Sequence, residues 1–187
     1  MRTVRTPRIL AVDDRHENLV ALQAILEGLL VSLDTVDTGE AALKKLLVRD
    51  YAAILLDAQM PGMDGFETAA HIKQRERTRN IPIIFLTAAD YDPKLAFRGY
   101  QLGAVDYLTK PFDPWVLQAK VTVFAELWKA HTELASQVVK YAKLRDAVDT
   151  ALTLLDHPDP QPADAVKILR AGRNPANSHD SQRGAVT

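Results

Sequence analysis

Asp13 and Asp14 directly follow the apolar run Ile9-Leu10-Ala11-Val12, and Asp57 directly follows Ala53-Ile54-Leu55-Leu56. If those runs are adjacent parallel strands, the carboxylates converge at one sheet edge. Negative charges gathered in a partly desolvated site repel one another and are stable chiefly around a cation. Oxygen ligands without His or Cys favour Mg2+ or Mn2+, which would keep some of its water. Thr87 ends a further apolar run, Ile81-Pro82-Ile83-Ile84-Phe85-Leu86, and Lys110 follows Ala104-Val105-Asp106-Tyr107-Leu108. A hydroxyl and an ammonium beside a metal-bound carboxylate form a phosphate-binding arrangement. The metal and Lys110 would neutralise charge on the equatorial phosphoryl oxygens, and Thr87 would donate a hydrogen bond to one of them. The predicted chemistry is phosphoryl transfer onto Asp57.

Competing chemistries lack their residues. No G-x-x-x-x-G-K-[ST] loop is present to cradle a nucleotide, and no G-x-G-x-x-G follows Val12. The histidines at 16, 71, 131, 157 and 179 all fall away from a strand-end nucleophile, so a Ser-His-acid triad is not formed.

Positioning the pocket requires strands alternating with helices. Apolar, β-branched runs at 9–12, 31–36, 53–56, 81–86 and 104–108 alternate with helical patterns at 18–29, 39–49, 65–75 and roughly 93–100. The first, third and fourth runs are nearly continuous in hydrophobicity, as in parallel strands covered on both faces. Leu19, Leu22, Ile25, Leu26 and Leu29 form an amphipathic stripe. The alternation predicts an α/β, doubly wound, open parallel sheet, whose ligands bind at the C-terminal strand ends.

A last helix begins at Asp113-Pro114, an N-cap followed by proline at the first helical position, and meets no Pro or Gly until Pro158. Leu127, Leu134, Tyr141, Val148 and Leu155 recur in heptad spacing, with Phe124, Val138 and Leu152 three residues before members of that row and His131 and Arg145 interrupting. Such a stripe needs a cover. Self-association through this helix is the leading reading; the alternatives are a break near 130–140 with return onto its own domain, and a different protein as partner. Trp128 reads as a packing residue, and His131 as a polar heptad position rather than a phosphotransfer histidine. His16 reads as a surface residue at a helix start, and Arg75 to Arg79 as a solvated helix end.

The chain has 187 residues, with 23 Lys and Arg against 24 Asp and Glu, a formal charge of -1 and no cysteine. That length accommodates one α/β domain plus an extension. The near-balance of charge gives no argument for nucleic acid or an anionic membrane. The absence of cysteine excludes disulfides, thiol catalysis and thiolate metal sites. No apolar run approaches a bilayer span, so a cytoplasmic protein without membrane contact is expected. The predicted organisation is a flexible lead-in at 1–7, the α/β domain at 8–125 and a helical extension, coiled-coil in pattern, at 126–156. A mostly flexible tail follows at 157–187, with a short helix at 163–171.

Asp13-Asp14, Asp57, Met60-Pro61-Gly62-Met63-Asp64-Gly65, Thr87-Ala88 and Lys110-Pro111-Phe112 together resemble the receiver domains of two-component response regulators. The resemblance covers residues 8 to about 125 and implies a flavodoxin-like, five-stranded sheet of order 2-1-3-4-5. It implies that Asp57 is the phosphoacceptor, attacking the phosphohistidine of a sensor histidine kinase or phosphotransfer protein. Asp14 would bind Mg2+ directly, Asp13 directly or through water, and the Gln59 carbonyl would complete the protein ligands. Lys110 would bridge to the acyl phosphate, aimed inward by a cis Lys110-Pro111 bond. Thr87 would move toward the phosphoryl group and let Tyr107 turn inward, changing the face made by the fourth helix, fifth strand and fifth helix. Pro61 and Gly65 are expected to shape the loop over the pocket, with Asp64 capping the next helix. Gln59 and Ala89 occupy positions that tune water access.

Flanking stretches, including Asp14 to Leu19, Arg75 to Arg79, Phe97 to Tyr100 and Leu117 to Leu127, are similar to receivers of hybrid or multidomain signalling proteins. The resemblance implies a receiver plus signalling helix, standing alone or cut from a larger kinase or cyclase, that acts on a downstream signalling protein. Its enzymology would be confined to its own phosphorylation and dephosphorylation, without turnover of diffusible substrates. The competing readings are an interaction module independent of phosphorylation, a DNA-binding regulator and a metal-dependent phosphatase.

Overall fold

The computed structural model describes residues 6–88, 106–156 and 162–173. The helical pattern at 93–100, Ala89, Phe97 to Tyr100, residues 1–5 and most of the tail lie outside the described residues. Strands β1 (Arg8–Val12), β2 (Ser32–Val36), β3 (Ala53–Asp57), β4 (Ile83–Ala88) and β5 (Asp106–Lys110) form one parallel sheet of order β2-β1-β3-β4-β5. Helices α1 (His16–Leu26), α2 (Gly39–Val48) and α3 (Gly65–Gln74) alternate with the first strands, and α4 (Pro114–Leu155) follows β5. The doubly wound fold expected from the alternation is the fold observed.

Period-two alternation sorts the strand residues onto two faces. Leu10, Val12, Ile54, Leu56, Ile83 and Phe85 pack with α2 and α3 residues such as Leu46, Phe66 and Ile72. Ile9, Ala11, Leu55, Ile84 and Leu86 pack on the other face with Leu19, Leu22 and Leu26 of α1 and with Leu117 and Val121 of α4. Because β1, β3 and β4 are covered on both sides, their continuous hydrophobicity is required.

Several boundaries differ from those expected. β4 starts at Ile83, because Pro82 has no N–H to give a ladder and contributes only its carbonyl, which accepts from the Ile54 N–H at 2.9 Å. It also runs on through Thr87, so that residue is paired within the sheet, opposite Thr109. α1 begins two residues earlier than the pattern indicates, since the Arg15 carbonyl already accepts from the N–H groups of Asn18 and Leu19. Arg77 is exposed as expected, and it also reaches the Leu47 carbonyl at 2.6 Å and Asp50 at 2.9 Å, tying the segment after α3 to the last turn of α2 and the loop beyond it.

The chain divides into two compact units, Met1–Ala130 and His131–Thr187. In the first, Phe124 and Trp128 pack against the core. In the second, α4 is unbroken to Leu155, so the reading with a break near 130–140 is overturned. The returning segment is instead α5 (Pro162–Arg173). Gly172 approaches Ala147, Lys143 and Leu144 so closely that an added Cβ would sit 2.5 Å from the Ala147 Cβ. Ala151 and Ala165 are buried. With α5 beginning just after α4 ends and its C-terminal Gly172 lying at Ala147, the two form an antiparallel hairpin.

Candidate functional site

Val12 of β1 lies opposite Leu56 of β3, so Asp13 and Asp57 leave the sheet side by side. Asp13 is wholly buried and Asp57 nearly so, while Asp14 is exposed. One oxygen of each of the three carboxylates lies within 4.8 Å of the others. Asp13 uses both of its oxygens: Oδ1 accepts from the Arg15 N–H at 3.0 Å and from Asn18 Nδ2 at 2.7 Å, and Oδ2 accepts from Lys110 Nζ at 2.7 Å. The same ammonium lies 3.3 Å from Asp57 Oδ1. It bridges the two buried carboxylates from the end of β5.

Burial pushes the Asp57 carboxyl above the ordinary carboxylate value; Lys110 draws it down, Asp13 pushes it up, and the Gln59 N–H lowers it by hydrogen bonding. One lysine among clustered carboxylates leaves excess negative charge at the edge of a half-open cleft. An all-oxygen donor set in that field fits a hard divalent cation, with Asp13, Asp14 and Asp57 as the side chains able to hold it.

Thr87 is buried, and its Oγ1 has no hydrogen-bond partner among the described residues. It lies one residue beyond Leu86, which pairs with Asp57, so the orphaned hydroxyl sits at the same sheet edge. Leaving a buried hydroxyl unsatisfied costs about 1–3 kcal/mol, so this group is one that calls for a hydrogen-bond partner. Behind it, Phe66, Phe85 and Tyr107 form an aromatic stack, with centroid separations of 4.8 Å and 5.4 Å. The half-buried Tyr107 ring thus belongs to a packed row leading away from the pocket.

The β3–α3 loop brings backbone over the acidic edge. Gln59 and Pro61 are exposed, and Gly62 has φ of 74°, a conformation favouring glycine. Asp64 Oδ1 accepts from the Glu67 N–H at 2.7 Å, capping α3. Gly65 is held against β3: an added Cβ would overlap the Asp57 carbonyl oxygen and lie 2.8 Å from Ala58 Cα. The Lys110-Pro111 peptide is cis.

The site therefore gathers Asp13, Asp14, Asp57, Gln59, Thr87 and Lys110 at one edge, with Tyr107 behind it. Pro61, Gly65 and Pro111 lie in the flanking backbone. Sequence reasoning missed Asn18, whose amide fixes Asp13 from the first turn of α1. Its position five residues after Asp13, at a helix start, was the available signal. Also unforeseen is the apolar wall of the cleft, where Ala21, Leu22 and Ile25 face Phe112. His16 and His131 are both exposed and stand outside the cleft lining.

An open α/β sheet with clustered carboxylates, a lysine and a buried hydroxyl at its C-terminal edge defines a phosphoryl-handling class of domain. Residues 9–122 match the response regulator receiver domain family, and the chain belongs to that family. It is 41% identical over 111 residues to the sensor histidine kinase GacS of Pseudomonas protegens, covering 57% of this chain and 12% of that protein. It is 41% identical over 115 residues to the response regulator PleD of Caulobacter vibrioides, covering 61% of this chain and 25% of that one. Among solved structures, the signal receiver domain of a signal transduction histidine kinase from Syntrophus aciditrophicus is similar at 32% identity and TM-score 0.59, covering 64% of this chain and 90% of that one. Vibrio cholerae chemotaxis protein CheY4 is similar at 27% identity and TM-score 0.60, covering 64% and 99%. The chain thus spans only a minor part of the curated relatives named. Among the described residues, no helix is long and apolar enough to cross a membrane.

Proposed function

We propose that Asp57 accepts a phosphoryl group from the phosphohistidine of a sensor histidine kinase or phosphotransfer protein, and that the product alters association through α4. The observation carrying this reading is the buried pair Asp13 and Asp57 bridged by Lys110 beside the unsatisfied Thr87 hydroxyl. An Asp57 carboxylate oxygen attacks phosphorus, the P–N bond breaks, and the histidine nitrogen leaves with the electron pair. Lys110 moves from the carboxylates to the incoming phosphoryl oxygens and offsets their charge. Thr87 Oγ–H, which has no partner among the described residues, donates to the new phosphoryl oxygen. Loss of Thr87 from its resting position frees space beside the aromatic stack, which lets Tyr107 repack and change the outer surface of β5. Asp13, Asp14, Asp57 and the Gln59 carbonyl would hold Mg2+ or Mn2+, which when bound would supply charge neutralisation on the transferring group. Later attack of water on phosphorus returns the free carboxylate.

Incubation of the wild-type chain and Asp57→Asn with a small phosphodonor and Mg2+, followed by intact-mass and solution-mass measurement, tests this. The expected result is one labile phosphoryl group on wild type alone, with a shift in oligomer population. Failure of wild type to be labelled returns the chain to a phosphorylation-independent interaction module. Labelling without any shift removes the association part.

A further inference from the structure

We propose that the α4–α5 hairpin is the docking surface for a second copy of this chain, and that two hairpins close antiparallel into a four-helix bundle. The proposal rests on the association part of the preceding reading and is independent of phosphoryl transfer.

Two stripes run along the C-terminal part of α4. Ala147, Ala151 and Leu154 are at least partly covered, on the side where Gly172 of α5 approaches. The heptad stripe is left open: Leu134, Val138, Tyr141, Val148, Leu152 and Leu155 range from 37% exposed at Val148 to 71% at Tyr141. Val166 and Leu169 of α5 are exposed as well, at 47% and 37%. A two-helix hairpin with this much open apolar surface matches half of a bundle.

Charge selects both the occupant and its direction. Between 140 and 145 the helix carries Lys140, Lys143 and Arg145 and no acid; from 146 to its end it carries Asp146 and Asp149 and no base, and Asp156 follows directly. α5 repeats the division, with Asp164 in its first turn and Arg170 and Arg173 in its last. Because the helices are antiparallel, the hairpin has one basic and one acidic end. Within α4 this order opposes the helix dipole, which favours cations near the C-terminus, so it is not explained by the helix's own stability. The internal pair between Arg145 and Asp146, at 3.4 Å and highly exposed, contributes little.

A parallel, in-register partner would set Arg145 against Arg145 and each basic end against its own copy. An antiparallel partner reverses this. Centred between Asp146 and Ala147, it lays Val138 on the partner's Leu155, Tyr141 on the partner's Leu152, and Arg145 beside the partner's Asp149. The same surface is used on both copies, as a two-fold interface requires.

The chain has no cysteine, so introduced ones report without ambiguity. The full chain should sediment as a dimer, at twice the 20.7 kDa of one chain. After mild oxidation, a mixture of Val138→Cys and Leu155→Cys chains should give a 138-to-155 linked dimer, while neither variant links to itself. In the antiparallel bundle, like positions at 138 lie roughly 25 Å apart along the axis, far beyond the disulfide Cα separation of about 4.4–6.8 Å. Self-linking of each single variant overturns the antiparallel bundle and leaves association standing. A monomeric wild-type chain overturns both. As a second arm, Arg145→Asp should loosen the dimer roughly tenfold at low salt, and adding Asp149→Arg should restore it. An unchanged dimer constant in Arg145→Asp would also overturn the orientation.

Discussion

Burial pushes the Asp57 carboxyl above its ordinary value of 3.8, Lys110 draws it down and Asp13 pushes it up. A raised folded-state pKa means that the native protein binds this proton more tightly than the unfolded chain does. Stability therefore falls as pH rises from the unfolded value through the raised one, and the penalty is complete above it. Asp57→Asn removes the charge while keeping the shape. In metal-free buffer at pH 7 it should melt at a higher temperature than wild type, with the gap narrowing below the ordinary carboxylate value. Adding Mg2+ should narrow the gap at pH 7 from the other side, since a ligand at a hundred times its Kd stabilises by about 2.7 kcal/mol. Thr87→Val keeps the volume and deletes a buried hydroxyl that has no partner among the described residues, so its unfolding free energy in denaturant titration should rise by about 1 kcal/mol. A fall of that size instead would show that Oγ1 is satisfied in the resting protein.

At the scale of elements, the β3–α3 connection shows how tightly the pocket is built. Gly65 donates its N–H to the Ala58 carbonyl at 3.1 Å and leaves no room for a side chain against the Asp57 carbonyl. Gly65→Ala must move backbone at Asp57, and should cost about 2–3 kcal/mol in denaturant titration while lowering the rate of labelling by a small phosphodonor. Labelling at the wild-type rate would mean that the loop accommodates the change elsewhere. Much of this architecture was legible in the chain. The covered strands announced themselves as unbroken apolar runs, and the carboxylates, Thr87 and Lys110 were conspicuous as polar residues at their ends. Strand edges were less legible, because Pro82 is apolar in pattern yet unable to donate a ladder bond. Asn18 was missed because its spacing from Asp13 at a helix start only hints at the contact, which is made where α1 settles against β1. The return of α5 along α4 was obscure for the same reason: its contact is made by Gly172, Ala147 and Ala151, residues too small to mark a hydrophobic stripe.

Across the whole molecule, the proposed phosphoryl uptake at Asp57 and the proposed self-association through α4 would be separate equilibria on one chain. They are coupled only to the extent that the phosphorylated and resting forms differ in dimer constant, and couplings of this kind usually amount to roughly 5–150-fold. The coupling requires a site, a reporter and an output, and each can be removed alone. Leu152→Asp sets a charge in the open stripe of α4, at a residue 56% exposed in the single chain and remote in sequence from every pocket residue. It should abolish the dimer in both states while Asp57 still takes one phosphoryl group. Thr87→Val should retain the resting dimer and still be labelled, yet lose the shift in dimer constant on labelling, because the hydroxyl proposed to sense the product is gone. Asp57→Asn should keep the dimer and take no label. Sedimentation of each variant with and without phosphodonor reads all of these outcomes. Loss of labelling in Leu152→Asp would show that the helix feeds back on the pocket; an undiminished shift in Thr87→Val would remove Thr87 as reporter and direct attention to Lys110, the other side chain that must move when the phosphoryl group arrives.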